Sequence, residues 1–253
     1  MEQRNDRLTA ASIGAIAICL VTADHEAFGH GGACLALGGH IQVLTSSIFR
    51  CDLRSDWIAG AGPLGNFVGG AIAAILVRLV PLRFVALKLF LTAVAAMSFF
   101  WEGAYLVDAM LTRNGDLFFF TTFQFGILAL WQRLSFAAAG VVVYVVTIRL
   151  TSRALLTLWP DAAAARGVAR YVWLGATLTA AVAALFYGGH GIADFRDAVL
   201  ESGVASLPLL FIPRGASREG AGVTLARNPF VIGAAVATVV IFAATLGHGV
   251  GAM

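Results

Sequence analysis

The hexapeptide His25-Glu26-Ala27-Phe28-Gly29-His30 places three ionisable side chains inside an apolar stretch that runs from about Leu8 to Leu37. Such groups are rare at membrane depth, and those that persist face a cavity, a partner or a metal. Two imidazoles about one helical turn apart can hold a zinc ion. A carboxylate beside the first can take the proton of a water that the metal polarises for attack on a carbonyl. The spacing, however, is one residue longer than the usual H-E-x-x-H. On a regular α-helix a separation of four leaves the histidines ~40° apart, whereas a separation of five leaves them ~140° apart and on different faces. A π-bulge in this turn would absorb the extra residue and realign His25 with His30, and Gly29 gives the backbone freedom to form one. The expectation is that His25 and His30 ligate metal and Glu26 acts as general base. The competing reading is a pair of unrelated histidines, each hydrogen-bonded within a helix bundle.

Zinc needs a further protein ligand and an open position for water. Asp116 is the first choice, because it follows the Asn114-Gly115 turn on the side of the membrane toward which His25 lies; its alternative role is an ordinary turn or capping aspartate. Glu102, inside a span, must be paired, protonated or liganding, and is the second choice. His190, flanked by glycines and followed by Asp194, is the third. Asp24 is expected to orient an imidazole by accepting its second N–H. Asn66 could hold a substrate backbone, position a ligand or join two helices. His40 and His248 are read as having no part in the site, the latter because the end of a sixth span falls on the opposite side.

The elements that must position these groups are membrane helices. Of 253 residues, 59% are hydrophobic and 12% charged, with mean hydropathy +0.85, against about 25% charged in soluble domains. The pattern predicts an all-α, polytopic transmembrane helix bundle of about six spans, forming one integral-membrane domain over 1–253. Spans are expected from about Leu8 to Leu37, Trp57 to Val80, Phe84 to Leu111, up to Ile148, Val172 to Tyr187, and Pro229 to the C-terminus. Leu117 to Phe125 is aromatic enough for the interface, Arg149 to Arg170 reads as a basic connection, and Val204 to Ile212 as a segment dipping into the bilayer. A strand or hairpin is expected at Ile41 to Leu44. The first run is too long for a signal peptide.

Cys19, Cys34 and Cys51 allow at most one bridge and therefore no disulfide framework. The net charge of +3 comes from arginines spread over the loops, which suits a protein surrounded by the lipid bilayer and gives no case for a nucleic-acid partner. Counting basic residues over six spans gives a narrow excess on the N-terminal side, hence a cytoplasmic N-terminus in the cell's inner membrane.

His25-Glu26 with Gly29-His30, a Leu-Gly-Gly ending at Gly39, and Ala61-Gly62-Pro63-Leu64-Gly65-Asn66 together resemble the site-2 protease family of intramembrane zinc metallopeptidases. The resemblance covers about the first 120 residues, and implies a metallopeptidase core at 1–120 with additional spans at 121–253. It implies Zn2+ held by His25, His30 and Asp116, with Glu26 as the catalytic base and Asn66 at the family's asparagine. The chain departs from the family in its histidine spacing, which is similar to the H-E-x-x-G-H of the dipeptidyl peptidase III family, and in the order Gly115-Asp116. The function implied is zinc-dependent cleavage of membrane-embedded or juxtamembrane peptide bonds in a membrane protein or peptide substrate. The alternative is a non-catalytic metal-binding or transport membrane protein.

Overall fold

The computed structural model describes residues 5–186, 191–214 and 220–250. His190, and with it the third candidate ligand, lies outside the described residues. The chain is an all-α bundle in which, among the described residues, six helices are long and apolar enough to cross a membrane. The first, Arg7–Ala36, is continuous but changes its winding: α1 (Arg7–Ala23) passes into a π-helical segment, Asp24–Gly31, and resumes as α2 (Gly32–Ala36). A short antiparallel hairpin follows, β1 (Ile41–Leu44) with β2 (Phe49–Cys51). Then come α3 (Asp56–Leu79), α4 (Val85–Thr112), the short α5 (Asp116–Phe125), α6 (Leu130–Leu158), α7 (Ala162–Ala184), α8 (Gly191–Ala198) and α9 (Pro229–Phe242).

Burial divides the bundle into inner and outer layers. The face of α1 bearing Ile13, Ala17, Ile18 and Val21 meets Leu89, Val94 and Met97 of α4 and Val172 and Ala176 of α7 in one buried core. On α3, α6 and α9 the large side chains point outward instead, with Val68, Ile72, Val142, Val236 and Ile241 all more than half exposed. An apolar exterior of this extent is tolerated in lipid and not in water.

Two expected boundaries move. The stretch from Arg149 to Arg170 is not a connection: α6 continues to Leu158 and α7 begins at Ala162, separated by Trp159, Pro160 and Asp161. Asp161 caps α7 by accepting from the N–H groups of Ala163 and Ala164, at 3.2 and 2.9 Å. The arginines therefore lie on the closing turns of α6 and the opening turns of α7, where Arg149 and Arg153 are exposed.

The larger correction concerns the segment after α8. A π-helical turn (Val199–Val204) and a 3-10 turn (Leu207–Leu210) follow it, and together they run back down the length of α7. Successively earlier α7 residues bond successively later carbonyls: Trp173 Nε1 donates to Gly203, Arg170 Nε to Leu210 and Arg166 Nη1 to Pro213, at 2.9, 2.9 and 2.7 Å. The chain thus returns to the end where α1 begins. There the Asp6 N–H donates to the Leu225 carbonyl and Asn228 N–H to Thr9 Oγ1. Helix α9 then ascends beside α1 and finishes at the hairpin end, where Leu44 and Val250 exchange both backbone hydrogen bonds at 2.8 Å. His248 is consequently at the same end as the His25 cluster, opposite to the expectation from six uniform spans.

Candidate metal centre

The π-helical segment is what places the two histidines together. A π-turn adds one residue per turn, so five residues bring a side chain back to the same face, as the H-E-x-x-x-H spacing requires. The His25 and His30 rings meet edge to face with centroids 4.9 Å apart. Both are buried, at 3% and 4% exposure, as is Glu26 at 5%. Gly29 contributes through packing rather than through an unusual backbone angle. A Cβ there would lie 2.6 Å from Gly62 Cα and 2.7 Å from the Ala61 carbonyl oxygen, and a Cβ on Gly62 would lie 2.3 Å from His30 Nε2. The small residues of α3 let its backbone press directly on the widened turn.

Each imidazole has its Nδ1 engaged. His30 Nδ1 is 2.7 Å from the Ile58 carbonyl, and His25 Nδ1 is 3.0 Å from Glu102 Oε1. A carbonyl can only accept, so His30 carries its proton on Nδ1. Asn66 Nδ2 donates to the same Glu102 oxygen at 2.8 Å and also stands 3.2 Å from His25 Nδ1; the shorter bond takes its proton to Glu102, and the 3.0 Å contact assigns His25 Nδ1–H as the second donor to that carboxylate. Both Nε2 atoms are then free of protons, the arrangement in which second partners commonly hold metal-bound histidines. Flat contacts fix the ring planes: Trp101 stacks on His25 with centroids 4.9 Å apart, and Phe49 of the hairpin stacks on His30 at 5.4 Å.

Asp116, the first residue of α5, comes to this point from the far side of the turn that ends α4. Its Oδ2 is 3.5 Å from His30 Nε2. In a tetrahedral site with bonds near 2.1 Å, neighbouring ligand atoms stand ~3.4 Å apart. One ligand atom each from His25, His30 and Asp116 lies within 4.8 Å of the others, so the donor set fits a zinc ion after a closure of about an ångström. Tyr105 secures the aspartate twice, its hydroxyl donating to Oδ2 at 3.1 Å and accepting from the Asp116 N–H at 2.8 Å. Glu26 Oε2 is buried without a hydrogen-bond partner among the described residues. Glu26, His30 and Asp116 line a cleft of about 900 Å³ that runs beneath the hairpin, past Phe49 and Arg50, and opens outward.

Glu102 and Asp24 lie on different sides of the histidine pair. Glu102 Oε1 faces His25 Nδ1 at 3.0 Å, on the side of the ring away from the cluster, while Asp24 Oδ2 lies against Gly69 of α3, 2.2 Å from where a Cβ would stand there. Asn66 serves the Glu102 contact. His40 is exposed and pairs with Asp52 at 3.0 Å, clear of the cleft floor. Asp108 is exposed on α4. Tyr105 and Trp101 were missed, although Glu102 and Tyr105 are three apart on one helix face, a spacing that marks side chains able to serve one site. The single permitted bridge is formed by Cys34 and Cys51, tying α2 to β2, and Cys19 is free and buried.

No protein-family model, curated protein or solved structure matches the chain.

Proposed function

We propose that the protein is an intramembrane zinc peptidase of the cell's inner membrane, akin to the site-2 protease family, that cleaves membrane-embedded or juxtamembrane peptide bonds. The observation that carries this reading is the meeting of His25, His30 and Asp116 beside an unpartnered Glu26 at the floor of an accessible cleft. His25, His30 and Asp116 would hold the ion. Zinc bound there would polarise the scissile carbonyl and acidify a water. Glu26 takes a proton from that water and delivers it to the departing amine. Glu102 and the Ile58 carbonyl keep the two imidazoles in the tautomer that leaves Nε2 open, and Tyr105 keeps the Asp116 carboxylate turned toward His30. The cleft admits an extended segment of chain, while the buried walls around Glu26 exclude bulk water from the rest of the site.

In a metal-binding or transport protein without catalysis, Glu26 would serve only to bind or balance the ion. Glu26→Ala separates the two readings. The purified variant should keep its zinc and lose all cleavage of a membrane-anchored reporter peptide; turnover at the wild-type rate would remove Glu26 from the mechanism.

A further inference from the structure

Two features outside the metal cluster bear on which compartment the cleft faces. The first is the distribution of cations once the true path of the chain is followed. At the end where α1 begins lie Arg7, Arg78, Arg83, Lys88, Arg149, Arg153, Arg166, Arg170, Arg214 and Arg227. At the cleft end lie Arg50, Arg54, Arg113, Arg133 and Arg196. Among the described residues that is ten against five. The descent of residues 199–213 along α7 moves Arg214 and Arg227 to the N-terminal end, and Arg227 acts there on Asp6. Arg133 and Lys88 are both buried and donate to backbone carbonyls, one at each end, so leaving both out gives nine against four among the described residues. An excess of this size in short loops and helix ends orients a membrane protein with its cation-rich end in the cytoplasm.

The second feature is the disulfide. Cys34 and Cys51 belong to different elements at the cleft end, with Cα atoms 6.1 Å apart. Such a bridge forms and persists outside the cytosol, whose thiol pools keep cysteines reduced. It also has a place in the architecture. With the Leu44–Val250 backbone pair it pins both strands of the hairpin, and so holds Phe49 over His30.

We infer that the cleft opens on the oxidising, extracytoplasmic side of the membrane, and that the peptide segments it accepts are the outer juxtamembrane portions of membrane-anchored proteins. The orientation stands on the cations and the disulfide alone; the substrate class also rests on the peptidase reading. Both point the same way, because an extended segment can enter beneath the hairpin only from the end that carries it.

Three measurements on the full chain test this. Alkaline phosphatase fused to the C-terminus should be active and green fluorescent protein at the same point dark, since α9 ends beside the hairpin; a fluorescent fusion overturns the orientation. Denatured cells treated with a maleimide polymer should show one adduct before reduction, from Cys19, and three after it, whereas three adducts before reduction would place the cleft end in the cytosol. Finally, two single-span reporters carry one cleavable segment at either the outer or the inner membrane boundary. Wild type should cut the outer one and Glu26→Gln neither. Glu26-dependent cleavage of the inner reporter alone overturns the substrate class. Cleavage of neither, with the phosphatase fusion active, overturns the peptidase reading and leaves the orientation standing.

Discussion

Replacing Glu102 by alanine separates the role of orienting a ligand from that of being one. Glu102 is wholly buried and receives two hydrogen bonds on Oε1, from Asn66 Nδ2 at 2.8 Å and His25 Nδ1 at 3.0 Å. Its removal takes away the shared acceptor in a dry interior, but Asn66 Nδ2 stands 3.2 Å from His25 Nδ1 and can donate to it; one unsatisfied buried donor costs roughly 1–3 kcal/mol, so folding should weaken by about 1–3 kcal/mol. The His25 ring keeps its stack on Trp101 but loses the bond that fixes its tautomer and tilt. Loss of such a partner lowers metal affinity by about 10–100-fold, equivalent to about 1.4–2.7 kcal/mol. Zinc competition against a chromogenic chelator, on protein purified in detergent, measures this directly. Glu102→Ala should still bind zinc at the wild-type stoichiometry, with affinity reduced by that factor, and Glu102→Gln should recover most of it because an amide oxygen can accept both bonds. Unchanged affinity in Glu102→Ala would refute the orienting role, and abolished stoichiometry in both variants would make Glu102 a ligand.

Gly29→Ala should act through position. The new Cβ would lie 2.6 Å from Gly62 Cα, so α3 must retreat by roughly 1 Å to restore ordinary contact. A misplacement of that size lowers turnover by about 100-fold, and a variant with normal turnover and normal melting would contradict the close packing. Asp6 caps α1 by accepting from the Thr9 N–H at 2.8 Å and the Thr9 hydroxyl at 2.7 Å. The Thr9 backbone bond holds its carboxyl below the usual range. A depressed pKa gives stability that is complete above the unfolded value near ~4 and fades as pH falls through the folded one. Asp6→Ala should therefore cost about 1 kcal/mol at neutral pH, with the gap from wild type closing in thermal melts run at progressively lower pH below that value. A gap independent of pH would show that the loss is not the ionised cap.

The parts of this architecture that were legible in the sequence are those set by local chemistry. Apolar runs long enough to cross a bilayer announce the long helices, and a five-residue histidine separation in a helix demands one extra residue per turn, which the π-helical segment supplies. The Asn114-Gly115 turn marked Asp116 as able to reach the first helix. The return of the chain along α7 was not legible, because it is built from α8, a π-turn and a 3-10 turn, each too short to register as a span. Missing it reversed the side of His248 and blurred the charge asymmetry. The roles of Glu102 and Asp24 depend on how α3 and α4 are rotated about their axes, and a lone acid in a span is equally compatible with liganding and with orienting. Pro160 before Asp161 did carry a helix-start signal, with proline and a capping residue ahead of an alanine run, but the arginines around it suggested a loop.

His25, His30 and Asp116 together should bind one metal ion, with no contribution from Glu26. Elemental analysis of the purified protein tests it most directly. Wild type and Glu26→Ala should each carry about one zinc per chain, and His25→Ala, His30→Ala and Asp116→Ala should each carry essentially none, since a catalytic site has only these three protein ligands to lose. Zinc retained at full stoichiometry in any of the three ligand variants, or missing from the wild type, would contradict it.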